Sequence, residues 1–175
     1  MTAAGCWLIS QSASSPYGQQ PIMAVLYGCD IPEDYYFDVE RDVWVRFESE
    51  LAVLGMTDLA QTRGGKLVNL TFRKPGKVIA QGKSAATIES AKWVGPFPMP
   101  FSGEIVETNA AGFTRDILAA NKDPYGAGWL VKVRPISLGT ERGHLLTGAE
   151  AVEAYRAKIV ALGVHCFRCV DDPGE

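Results

Sequence analysis

The chain has 175 residues, 47% of them hydrophobic and 21% charged, with 17 basic against 20 acidic side chains for a net charge of −3. That size and balance suit one globular domain with terminal additions. A mildly acidic chain lacks the concentrated basic face that nucleic acid requires, and no apolar run is long enough to span a bilayer, so neither nucleic acid nor membrane is an expected partner.

Residues 1–22 are rich in Ser, Gln and Ala without a sustained period, and disorder is expected there. No Lys or Arg precedes Arg41, so the start has neither the basic region of a secretory signal nor the Arg-rich pattern of a mitochondrial presequence. The four cysteines, Cys6, Cys29, Cys166 and Cys169, are scattered and do not read as a disulfide framework. A cytoplasmic protein with reduced thiols is expected. Residues 23–38 bring Tyr27, Tyr35, Tyr36 and Phe37 beside several acids and read as an irregular lead-in lying over the core.

Residues 39–135 carry the β signal. Val43, Val45 and Phe47 alternate as in a half-buried strand, Ser49-Glu50 is a turn, and Leu51 to Leu54 return. Asp58 to Gln61 make a short helical turn, broken by Gly64-Gly65. Lys66 to Phe72 and Lys77 to Ile79 are strands separated by Lys74-Pro75-Gly76, and Gly82 marks a corner. Ser84 to Glu89 is a strand leading to Lys92. Pro96, Pro98 and Pro100 then forbid a helix or a central strand and predict a stiff extended edge. Gly103 to Thr108 is a strand with Ile105 inward, Thr114 caps a short helix to Ala119, Asp123 to Gly126 turn, and Trp129 to Val133 close the set. Short strands with Gly and Pro corners indicate a small barrel or sandwich. In residues 136–163, Thr147 and Glu150 form a capping box. Val152, Tyr155, Ile159 and Leu162 share one face of a C-terminal helix that Gly163 ends. Residues 164–175, with Cys166 and Cys169 in a C-x-x-C beside His165, read as a loose tail.

Lys92 stands between two β-patterned runs, ten residues after Gly82 and eleven before Gly103. This layout displays one amine at a hairpin tip. The surrounding segment Glu89-Ser90-Ala91-Lys92 resembles the lipoyl-attachment sequence of the glycine cleavage H-protein family, typically Glu-Ser-Val-Lys. Three further blocks are similar in order and spacing: Gly55-Met56-Thr57-Asp58-Leu59-Ala60-Gln61, Pro100-Phe101-Ser102-Gly103, and Asp123-Pro124-Tyr125-Gly126-Ala127-Gly128-Trp129-Leu130. The resemblance implies a mainly β fold of the lipoyl type, a flattened barrel-sandwich hybrid with a short internal helix and a C-terminal helix. It implies a carrier without chemistry of its own. Lipoate would be held as an amide on Lys92, with Glu89, Ser90 and Trp93 flanking the site for recognition. Tethering turns each transfer between partner sites into an effectively intramolecular event. The implied partners are a lipoate ligase or the lipoyl synthesis machinery, dihydrolipoyl dehydrogenase, and either glycine cleavage enzymes or a heterodisulfide-reductase-like complex.

Departures point to the second of these. Where the family has His-Glu-Trp, this chain reads Arg41-Asp42-Val43-Trp44, and Trp93 replaces the usual Ala after the lysine. The run Trp93 to Phe97 and the Cys166/Cys169 tail resemble the H-like lipoate-binding proteins of sulfur-oxidising prokaryotes, whose arm carries sulfur intermediates. Glu89, Trp93 and Phe97 are the expected partner contacts, and Cys166 and Cys169 are candidate redox thiols. Biotin carriers share the fold, but Ala91-Lys92-Trp93 lacks their paired methionines. Zinc at the C-x-x-C would need a second ligand pair that the sequence does not offer, so no metal is expected. An aminomethyl carrier and an unmodified interaction module are the alternatives.

Overall fold

The computed structural model describes residues 22–168; the expectations for residues 1–21, Cys6 among them, and for Cys169 lie outside these. Among the described residues twelve strands occur: β1 Met23–Leu26, β2 Cys29–Pro32, β3 Tyr36–Asp38, β4 Val43–Glu48, β5 Leu51–Met56, β6 Leu67–Phe72, β7 Val78–Ile79, β8 Ser84–Ser90, β9 Val94–Pro98, β10 Gly103–Thr108, β11 Val131–Pro135 and β12 Leu146–Thr147. The helices are α1 Asp58–Gly64, α2 Ala110–Arg115, α3 Ala119–Lys122, α4 Leu138–Glu141 and α5 Gly148–Leu162. The strands form a seven-stranded sheet in the order β12-β3-β4-β5-β11-β10-β7, a three-stranded sheet β6-β8-β9, and the hairpin β1-β2.

Two apolar layers hold these sheets. One joins Val45, Leu54, Ile105 and Val133 of the large sheet to Ala86, Ile88 and Phe97 of the small one. The other lies under α1 and α5 and gathers Phe37, Trp44, Val53, Leu59, Tyr155 and Ile159. β4 is therefore covered on both faces, with Val43, Trp44 and Val45 all buried, rather than half-buried as its alternation suggests. The cause is α5, whose covering face is Ala151, Tyr155 and Ile159. Leu162, expected on that face, is 43% exposed.

Four local expectations change. The lead-in is a hairpin plus β3, because Tyr27 and Gly28 both adopt positive φ (51° and 78°), which matches the twist of a two-residue hairpin turn. Thr114 lies inside α2 and donates to the Ala110 carbonyl instead of capping a later helix. Thr147 stands at the start of α5, but its hydroxyl donates to the Tyr35 carbonyl at 2.8 Å, so the capping box is not formed. The last described residues are fastened, not loose. Cys166 is disulfide-bonded to Cys29, its N–H donates to the Tyr27 carbonyl, and the Phe167 carbonyl accepts from Gln61. Gly28 permits this approach, since a Cβ there would stand 2.6 Å from the Cys166 carbonyl oxygen. The bond corrects the expectation of reduced thiols at these positions and removes the argument for a cytoplasmic location that rested on them.

Candidate functional site

Lys92 sits at the exposed tip between β8 and β9. Ser90 organises that tip. Its backbone N–H donates to the Trp93 carbonyl, and its hydroxyl accepts from the Trp93 N–H at 3.1 Å and donates to the Gly64 carbonyl at 2.6 Å. The Ala91 N–H donates to the Lys66 carbonyl, so the tip is bolted to the chain that leaves α1. The Lys92 stem lies along Gly65, whose hypothetical Cβ would stand 3.5 Å from Lys92 Cδ.

The platform beneath is built by α1. Thr57 caps it through a bond from the Ala60 N–H, as residue type and position predict. Asn121 secures its far end. This buried amide donates to the Gly65 carbonyl at 3.0 Å and to Gln61 Oε1 at 3.1 Å, and its own oxygen accepts from the Leu67 N–H. Sequence reasoning missed Asn121, because a lone Asn before the Asp-Pro-Tyr-Gly block has no local signature of a tertiary bond. At the N-terminal end, Asp58 is fully buried and faces Arg168, whose guanidinium lies 3.1 Å from Asp58 and 2.7 Å from Asp30. The Tyr125 hydroxyl accepts from the Asp58 N–H and donates to the Asp30 carbonyl. Burial pushes its pKa well above the ordinary tyrosine value, so it remains a neutral donor.

Beside Lys92 opens a cleft of about 470 Å³, within the range of small-molecule sites of roughly 300–1,000 Å³. Met56, Ala60, Leu67, Ile88 and Phe97 supply apolar lining; Arg41, Asp42, Arg63 and Trp93 line it as well. Asp42 holds Lys158 at 2.6 Å and Arg63 at 3.3 Å. Burial raises its pKa against the pull of those two cations.

Of the seven expected site residues, the six that the structure describes separate into groups. Lys92 and Trp93 share the tip, with the Trp93 ring laid against Gly95, where any Cβ would clash at 1.9 Å. Glu89 is exposed next to them, 3.4 Å from the Asn69 amide. Ser90 is 7% exposed and spends its hydroxyl internally, so it braces the lysine from within. Phe97 is 2% exposed, which withdraws it from the expected partner contacts. Cys166 lies with Cys29 beside α5 and α1, in the disulfide, and is neither a free thiol nor a metal ligand in that state.

A family model described as "Glycine cleavage H-protein" matches residues 35–158. The chain belongs to that family. It is 41% identical over 140 residues to glycine cleavage system H protein 2 of Aquifex aeolicus, covering 79% of this chain and 86% of that one. It is 42% identical over 149 residues to probable glycine cleavage system H protein 2 of Sulfolobus acidocaldarius, covering 83% and 99%. Among solved structures, the glycine cleavage system H protein of Mycobacterium marinum superimposes with a TM-score of 0.62 at 31% identity, covering 77% of this chain and all of that one.

Family membership makes this an H-protein-type carrier with the lipoyl barrel-sandwich fold, not an enzyme. H proteins hold lipoate covalently on a lysine. Lipoyl-attaching enzymes and glycine cleavage enzymes are the partners that membership implies. The chemistry here suits such a group: an exposed primary amine for the amide, and an adjoining cleft with apolar lining for an aliphatic arm. Among the described residues, no helix is long and apolar enough to cross a membrane.

Proposed function

We propose that Lys92 is the lipoylated residue and that its arm carries sulfur-bound intermediates to a heterodisulfide-reductase-like complex. The observation that carries the attachment site is the tip itself: a solvent-facing amine on a hairpin held in place by Ser90, Lys66 and Gly64. Amide formation removes the lysine charge, and the arm then moves between the cleft and partner sites while the protein supplies position. A lipoate ligase or the lipoyl synthesis machinery loads the arm, and dihydrolipoyl dehydrogenase reoxidises it.

The sulfur assignment is supported by Val43 in the segment where the family carries His-Glu-Trp, and by Trp93 at the mouth of the cleft. The relatives add a second consideration. Three of them from Aquifex aeolicus are numbered 2, 3 and 5, and several copies in one cell suit carriers divided among different partner systems. The Cys166 thiol no longer contributes to this argument. The alternative cargo is an aminomethyl group passed between glycine cleavage enzymes, the system after which the relatives are named.

Intact mass after incubation with lipoate and its ligase tests the site. A lipoyl increment is expected on the wild-type chain and none on Lys92→Arg. No increment on either protein would leave the unmodified interaction module. Reconstituted assays then separate the cargoes: glycine–bicarbonate exchange supported by the lipoylated protein would overturn the sulfur assignment, and sulfur oxidation dependent on it would uphold it.

A further inference from the structure

We propose that the cleft beside Lys92 receives the loaded arm with an anionic group at its cargo end, read by the guanidinium of Arg63. This assignment rests on the attachment of lipoate at Lys92. The cleft is amphipathic: Met56, Leu67, Ile88 and Phe97 offer a surface for a hydrocarbon chain, while Arg63 lines it from the last turn of α1. An arm rooted at Lys92, directly over Gly65, thus begins two residues from the Arg63 backbone position.

The charge arrangement decides which cargo suits it. Asp42 is buried and already holds two cations, with Lys158 at 2.6 Å the closer and Arg63 at 3.3 Å the looser. One carboxylate between two cations leaves a local excess of positive charge. The Arg63 side chain is 46% exposed and the Lys158 side chain 21%, so that excess is most accessible at Arg63. A guanidinium has five N–H donors, and Arg63 commits one nitrogen to Asp42. The remaining donors match the oxygens of a sulfonate or similar oxyanion. Among the described residues that line the cleft, Glu40 is the one solvent-exposed carboxylate that a cationic cargo could find as its partner, and Glu40 lies on the Arg41 side.

Sulfite supplies a defined probe. It attacks one sulfur of the oxidised dithiolane, the S–S bond breaks, and the products are one S-sulfonate and one thiolate. The atoms and both electrons of the broken bond are thereby accounted for, and no further oxidant is needed. The equilibrium constant for this adduct on the lipoylated full-length protein reports how well the docked anion is held, after mass spectrometry has established the lipoyl increment and located the adduct on Lys92. We expect the constant to be about tenfold larger than for free lipoamide, to fall by most of that factor in Arg63→Met, to be retained in Arg63→Lys in part, and to be unaffected by Glu40→Gln. Equal constants for wild type and Arg63→Met would overturn the anion assignment while leaving attachment intact. A weakened adduct in Glu40→Gln alone would do the same. Absence of the increment would instead remove the attachment on which the assignment rests.

Discussion

The two ends of α1 are built for opposite purposes. At its N-terminus, Asp58 is sealed beside Arg168 and Tyr125, and the chain there is tied to segments more than 60 residues away in sequence. At its C-terminus, Gly64 and Gly65 carry a hairpin tip whose residues 91–94 are all exposed. The contrast teaches how a small protein offers one side chain to large partners without losing its shape. Rigidity is concentrated behind the lysine, and the tip itself is left with few contacts beyond a handful of hydrogen bonds.

Weakening the sealed end is expected to have the largest effect on stability. A Cys29→Ser, Cys166→Ser double variant should lose about 2–5 kcal/mol, because the bond closes a loop spanning 137 residues and restricts the unfolded chain. Urea denaturation with and without reductant measures this. The wild type in reductant should approach the variant, and the variant should not respond to reductant.

The middle of the platform comes next. Asn121→Ala removes partners from the Leu67 N–H, the Gly65 carbonyl and Gln61 in a buried setting. A loss of about 3 kcal/mol is expected, with unmet polar groups each costing about 1–3 kcal/mol. Because Gly65 lies under Lys92, the rate of lipoylation should fall as well. Unchanged lipoylation in a destabilised Asn121→Ala protein would show that the platform supports the fold alone.

At the exposed end, Ser90→Ala should cost only about 1 kcal/mol, since the tip is partly open to water. It should nevertheless slow lipoylation severalfold by freeing the hairpin from Gly64. The ratio of these two effects is the sharpest measure of the comparison, and Ser90→Thr, which keeps the hydroxyl, should recover part of the rate.

The smallest effect concerns pH. Burial holds the Asp42 pKa above its ordinary value, so the folded protein binds that proton more tightly than the unfolded chain does. Its contribution to stability is fully present below the unfolded pKa of about 3.9 and is lost as pH rises through the raised value. Stability measured across that window should therefore decline more steeply with rising pH in the wild type than in Asp42→Asn. An identical slope would show that Lys158 and Arg63 cancel the cost of burial.

Much of the site was legible locally. Lys92 falls at a hairpin tip because the strand patterns and Gly and Pro breaks around it are short-range signals, and β9 is an edge strand because its prolines leave it no other place. The blocks around Asp58 and Asp123 kept their positions for structural reasons that sequence does not state: Tyr125 pins α1 to β2, and Trp44 donates to the Pro124 carbonyl. Phe97 was misplaced as a surface contact. In the β8–β9 ladder it pairs with Ala86, and its face is turned to the core.

The sequence by itself determined the order of strands β4 to β11, the H-protein resemblance and the position of the displayed amine, since each depends on residues within a few positions of one another. Only the tertiary structure decided that Cys29 meets Cys166, that Arg168 neutralises a sealed Asp58, and that a cleft with Arg63 on its wall opens next to Lys92. Those outcomes join residues that the chain separates by tens of positions or more. Such meetings are selected by burial and charge compensation in the folded protein, and no local pattern encodes them.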